Sequence, residues 1–360
     1  MSHLPIVNFT PGPSQIFYTV EDHIRTAFRE GIPSISHRSK TFEHAFQHTT
    51  KGLRDLFQIP DGWHIFFVSS ATEIWERSIQ NMVAGHSHHF VNGAFSSKFH
   101  EFSGLLGRVN GKTEAAEGEG FLQALEFPGA ELIAVTQNET STGVRTGNDF
   151  IAGIRAKNPE ALIIVDGVSS LPHLQPDFKN IDSVFFSVQK GFGMPAGLGV
   201  WMVNDRCLEV SGKMASKGHF TGTYHTLQAL AANAKKYQTP STPNILGIWL
   251  LGKVCEDFLR RGIDTIRKET VYKSVLLYQT LDKHKLTQPF VTNPVHRSET
   301  VVVANTGSET ERLTRYLMEH GLQPGDGYGS KKSSQLRFAN FPAHSREVYE
   351  KLCDLITAFE

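Results

Sequence analysis

Short apolar runs alternate with segments of helical periodicity through the first 205 residues. Residues 63–68, 131–136, 161–165, 181–186 and 198–203 are runs rich in β-branched and aromatic side chains, with the length and make-up of buried strands. Apolar residues at helical spacing mark 72–84 and 148–157 between them. Strands that alternate with helices predict parallel pairing with helices on both faces. Thr239-Pro-Ser-Thr-Pro-Asn244 cannot continue a helix. Beyond it, 245–261 has helical spacing and Gly262 is a stop signal. A further helical stretch to about Leu281, strands at 300–303 and near 336–338, and helices at 309–319 and 345–359 describe a small α+β unit. The domain change is expected near residue 250, giving a large domain over 13–250 and a small one over 251–360. No internal repeat or low-complexity segment interrupts this plan.

The length of 360 residues suits two domains of about 150 residues each, enough for a substantial core. Lys+Arg and Asp+Glu balance at 36 each, so bulk charge predicts no affinity for nucleic acid or an acidic membrane. No apolar stretch approaches the roughly 20 residues that cross a bilayer, and Met1–Asn8 lacks the pattern of a signal peptide. The expected location is the cytoplasm. Cys207, Cys255 and Cys353 are odd in number and far apart, which argues against a disulfide framework or a structural zinc site. His86, His88 and His89 crowd a strand entry without a carboxylate or thiol at ligand spacing. They read as solvated or capping groups, and no metal is expected.

Two residues carry the chemistry. Asp166 follows the run 161–165, and Lys190 follows 181–187 and precedes the glycine-rich turn 191–197. In a covered sheet, the carboxyl ends of neighbouring strands gather ligands. An acid at one such end and a lysine at the next meet the needs of pyridoxal phosphate. The lysine forms a Schiff base with it, and the acid keeps the pyridine nitrogen protonated so that the ring withdraws electrons.

Thr10-Pro-Gly-Pro-Ser14, Ser36-His-Arg-Ser-Lys40, Asn138-Glu-Thr140, Asp166 with Ser169-Ser170, Gln189-Lys190, Pro195-Ala-Gly197 and Thr239-Pro240 follow one another in an order that resembles the class V aminotransferases. The resemblance covers most of the chain. It implies a pyridoxal-phosphate enzyme of fold type I, like aspartate aminotransferase: a mostly parallel seven-stranded sheet covered by helices, plus a small α+β domain that also takes in residues 1–12. Lys190 and Asp166 are then the catalytic pair, and Lys190, once free, is the base that moves the α-proton. Ser70, Ala71 and Thr72 match the segment that holds the cofactor phosphate, where the family usually has glycines at 69 and 70. Phe95, in Asn92-Gly-Ala-Phe-Ser96, matches an aromatic that stacks on the pyridine and is often Trp. Thr140 matches a hydroxyl to the ring oxygen, and Gln189 lies near the phosphate. Gln238 and Thr239 match residues that reach across a homodimer to the partner's cofactor; Asn is usual where this chain has Gln238.

Substrates of such an enzyme are amino acids and 2-oxo acids. Arg337, in Leu336-Arg-Phe-Ala-Asn340, resembles the group that grips the α-carboxylate, and His37-Arg38 resemble an element that meets a substrate phosphate. Two readings follow. The basic residues and the carboxyl-terminal segment favour transamination between O-phospho-L-serine and 2-oxoglutarate in serine biosynthesis. Asn138-Glu-Thr-Ser-Thr-Gly143, Asp166-Gly-Val-Ser-Ser170 and Gly191 after the lysine read more like the alanine or serine–glyoxylate enzymes. A desulfurase would need a reactive cysteine on a mobile loop, for which Cys353 in a closing helix is poorly placed.

Overall fold

Residues 6–360 are described by the computed structural model. The larger sheet has seven strands in the spatial order 63–68, 199–204, 183–187, 162–166, 132–136, 86–91, 109–114. Gly199–Asn204 runs antiparallel to both neighbours, and every other pair is parallel. This is the expected α/β architecture. Leu132–Thr136, Leu162–Asp166 and Ser183–Ser187 are buried at every position, as parallel strands covered on both faces must be. Their side chains divide by the period of two. Ile133, Val135, Ile163, Val165 and Phe186 face the helices Lys40–Phe57 and Ile245–Arg261. Leu132, Ala134, Leu162, Ile164 and Phe185 face the helix Ala71–Met82.

The strand His86–Val91 corrects one expectation. His88 and His89 are buried rather than solvated. His88 stacks on Phe127 with ring centroids 3.6 Å apart, and His89 meets Phe99 edge-on at 5.2 Å. Burial pushes them down to about 4 and about 3, so both are neutral imidazoles. A neutral imidazole is a flat ring with one donor and one acceptor. It can therefore fill an aromatic-rich layer that the alternation of apolar residues does not reveal.

The smaller sheet has five strands in the order 7–9, 322–326, 335–339, 301–305, 288–289. Val7–Phe9 pairs in parallel with Leu322–Asp326, so the start of the described chain is tied to its last third. Residues 1–5 lie outside the described residues. Phe9, Leu277, Val302, Leu336 and Tyr349 form the core beneath the helices Ile263–Lys283 and Arg346–Ala358. The helix Ile245–Arg261 runs through residue 250, and Ile248, Leu251, Val254 and Phe258 all join the larger core. A division at 250 would cut that helix, whereas Gly262 separates it from the next. Among the described residues no helix is long and apolar enough to cross a membrane.

Candidate active site

Thr136, Asp166 and Ser187 end three strands at one edge of the larger sheet, where the helices Ala71–Met82 and Ala94–Leu105 also begin. A cavity of about 190 Å³ lies there. Ser70, Ala71, Thr72, Phe95, Thr140, Asp166, Gln189 and Lys190 all line it. Eight of the residues singled out from sequence thus come together from five separate stretches of chain.

Asp166 is buried, and each carboxylate oxygen accepts one N–H. Oδ1 takes that of Val168 at 3.0 Å, and Oδ2 takes the indole Nε1–H of Trp75 at 2.9 Å. Burial pushes the carboxyl up to about 6, against the two hydrogen bonds and the positive charge of Lys190. Burial likewise pushes Lys190 down to about 8, with Asp166 opposing and Arg337 adding to the shift. Near neutral pH this leaves a mostly ionised acid and an amine whose neutral form is within easy reach, the state a nucleophile or base requires.

The Lys190 Nζ donates to Thr140 Oγ1 at 3.1 Å and lies 5.3 Å from the Phe95 ring centroid. Thr140 Oγ1 in turn donates to Ser169 Oγ at 2.8 Å, and Asn138 Nδ2 donates to the same Ser169 oxygen at 2.7 Å. Glu139 holds the two segments together. Its carboxylate accepts the N–H groups of Phe95 and Ser96 at the start of one helix and that of Ser141 beside Thr140. A carboxylate at a helix N-terminus also meets the positive end of the dipole. Gly12 lies against the lysine: a Cβ there would sit 2.6 Å from Lys190 Cε, and its φ of 139° suits glycine.

At the other end of the cavity Ser70 caps the helix Ala71–Met82, its hydroxyl accepting from Glu73 N, while Ala71 N donates to Ser187 Oγ at 2.8 Å. The first N–H groups of a helix have no intrahelical partner, and they favour an anion. Gln189 Oε1 is buried without a hydrogen-bond partner beside them. An amine, a buried acid, an aromatic face, a hydroxyl and a helix start fit the carbonyl, pyridine nitrogen, ring face, ring oxygen and phosphate of pyridoxal phosphate.

Arg337 reaches this site from the smaller sheet, donating from Nη1 to the Thr140 carbonyl at 3.3 Å and from Nε to that of Asp326 at 2.6 Å. The remaining expected residues form a second cluster outside the cavity. Arg38 Nη1 donates to Gln238 Oε1 at 2.6 Å, and His37 Nδ1 pairs with Thr242 Oγ1 at 3.3 Å. Thr239 lines a separate recess with Ser69 and Asn244. Sequence reasoning gave no role to Trp75, Ser187, Ser169 or Glu139. Trp75 had a signal, being one helical turn beyond Ala71 in a predicted helix; Ser187 became visible only when two strands were set side by side.

The aminotransferase class-V family profile matches residues 110–332. Phosphoserine aminotransferase from Rhodococcus opacus is 28% identical over 323 residues, covering 88% of this chain and 85% of that protein. A phosphoserine aminotransferase from Cytophaga hutchinsonii superposes with a TM-score of 0.96 at 47% identity, over 98% of each chain. Alanine–glyoxylate aminotransferase from Nostoc sp. shares the fold, with a TM-score of 0.77 at 18% identity over 99% of this chain and 96% of that one. The chain belongs to the class-V aminotransferase family and is a pyridoxal-phosphate-dependent enzyme.

Proposed function

We propose that this aminotransferase exchanges the amino group between O-phospho-L-serine and 2-oxoglutarate, giving 3-phosphohydroxypyruvate and glutamate, as a step of serine biosynthesis. The observation that carries this reading is the 47% identity, spread over 98% of both chains, with the Cytophaga phosphoserine aminotransferase. Pyridoxal phosphate, when bound, supplies an electron-withdrawing ring that acidifies the substrate Cα–H and carries the amino group between the two substrates. Ser70, Ala71, Thr72 and Gln189 hold the phosphate end, Phe95 covers a face, and Thr140 donates to the ring oxygen. Asp166 keeps a proton on the pyridine nitrogen. Lys190 would anchor the cofactor through Nζ and, with its amine free, would be the base that moves the proton between the substrate Cα and the cofactor carbon.

Arg337 receives the α-carboxylate in a bidentate grip. A phosphorylated substrate brings roughly two more negative charges, which call for further cations. His37 and Arg38 are the candidates, and they cluster with Gln238 away from their own chain's cavity. In this reading the enzyme is a homodimer, and His37, Arg38, Gln238 and Thr239 serve the partner's site.

Gly191 no longer argues for a glyoxylate enzyme. A Cβ at this position would lie 2.0 Å from the Leu171 carbonyl oxygen, so close packing alone calls for glycine. Sulfur chemistry at a cysteine is disfavoured too, since Cys353 is buried and its thiol is pushed up to about 11. The test is a half-reaction screen of the purified holoenzyme against amino donors, followed by cofactor absorption. Phosphoserine and glutamate should convert the cofactor quickly, and serine and alanine slowly. Equal rates for serine and phosphoserine would move the assignment to the glyoxylate branch.

A further inference from the structure

We propose that Trp75 is a positioning residue for this reaction, its indole N–H holding the Asp166 carboxylate ionised and aimed at the pyridine nitrogen. The proposal rests on the reading of Asp166 given above. Trp75 and Asp166 are each about 4% exposed, and the Nε1–Oδ2 hydrogen bond is 2.9 Å. An indole N–H only donates, so it is satisfied here by a carboxylate lone pair and has no use for a protonated oxygen. The Val168 N–H occupies the other oxygen, and two donors on separate oxygens fix the plane of the carboxyl.

The indole itself is held firmly. It stacks on Phe99 at 5.8 Å and meets Phe102 edge-on at 5.7 Å. Trp75 also lies four residues beyond Ala71, on the same face of the same helix. That helix therefore carries the phosphate end of the cavity on its first turn and the donor to the acid on its next. One rigid element sets the distance between the two anchors of the cofactor.

Asp166 needs this help. Burial works against its charge, Glu139 adds to that effect, and only Val168, Trp75 and Lys190 oppose it. With the cofactor bound, a proton would be shared between the Asp166 carboxylate and the ring nitrogen. Removing the Trp75 donor would move that proton towards the carboxylate, and a neutral pyridine is a poorer electron sink.

The experiment loads the holoenzyme with cofactor labelled at the ring with nitrogen-15 and records its NMR signal and the turnover. Trp75→Phe is compared with replacement of Trp75 by benzothienylalanine, which keeps the bicyclic shape and lacks the N–H. Wild type should show a protonated ring nitrogen. The analogue should shift the signal towards unprotonated pyridine and slow turnover roughly tenfold to hundredfold, the scale of one hydrogen bond to a charged group. Its thermal unfolding should stay a single cooperative transition, which shows that the protein is folded. A wild-type signal and rate in the analogue would overturn the proposal and leave Trp75 as packing alone. A protonated ring nitrogen in Asp166→Asn would instead remove the role of Asp166, and that of Trp75 with it.

Discussion

Lys190 Nζ donates to the Thr140 hydroxyl across a sequence separation of 50 residues, at 3.1 Å. The contact holds the amine 5.3 Å from the Phe95 ring centroid, in the cavity that Asp166 also lines. Lys190→Ala should therefore abolish turnover and the cofactor linkage that borohydride fixes. Weak noncovalent binding through the phosphate end should survive. Peptide mass spectrometry after reduction checks this, and cofactor fixed to a different lysine would refute the assignment.

Asp166→Asn keeps the shape of the side chain and loses its charge. Turnover should fall by several powers of ten, with Asp166→Glu retaining part of it. Steady-state rates at saturating substrate decide the matter, and near-normal turnover in the Asn variant would rule out the electron-sink role.

Arg337 and Arg38 should separate by substrate. Arg38→Ala should weaken phosphoserine roughly tenfold to hundredfold while sparing unphosphorylated donors, because it removes charge-assisted hydrogen bonds to the phosphate alone. Arg337→Ala should harm every amino acid, since all share the α-carboxylate. The ratio of kcat/KM for phosphoserine and glutamate in each variant is the measurement.

Gly12→Ala should disturb the site more than the fold. The new Cβ would press on Lys190 Cε, and the positive φ adds backbone strain of about 1–3 kcal/mol. Cofactor affinity and turnover should drop clearly, with a smaller shift in Tm. Unchanged cofactor affinity would show that the lysine can move aside freely.

Four buried histidines predict acid sensitivity. Burial pushes His88, His173 and His344 down to about 4 and His89 down to about 3, from an ordinary value of 6.5. Between those values the unfolded chain binds more protons than the folded one, so stability rises with pH across this window. It should be lost progressively as the pH falls below about 6.5. Asp166, raised to about 6 from 3.8, and Glu299, also raised by burial, work in the opposite sense over part of the range, two groups against four. Thermal unfolding between pH 4 and 7 should show the slope. His88→Phe, which keeps the stack on Phe127, should flatten it.

The sequence by itself determined the alternating strand and helix plan and named eight residues that the structure brings together in one cavity. Runs such as 161–165 and 181–186 have the length and the β-branched or aromatic make-up of covered strands, so the sequence alone places Asp166 and Lys190 at strand ends. The strand His86–Val91 was legible only as an entry, because buried imidazoles break the apolar alternation from which strands are read. Tertiary structure alone decided which distant groups meet. The Trp75 hydrogen bond to Asp166, the Ser187 hydroxyl on Ala71 N and the Glu139 bridge all join segments that are local neighbours only across the sheet. Sequence periodicity reports which face of an element is buried, whereas strand order and register set what that face touches. That Arg38 pairs with Gln238 while neither lines their own chain's cavity is likewise a fact of chain path, since no spacing in the sequence encodes distance through space.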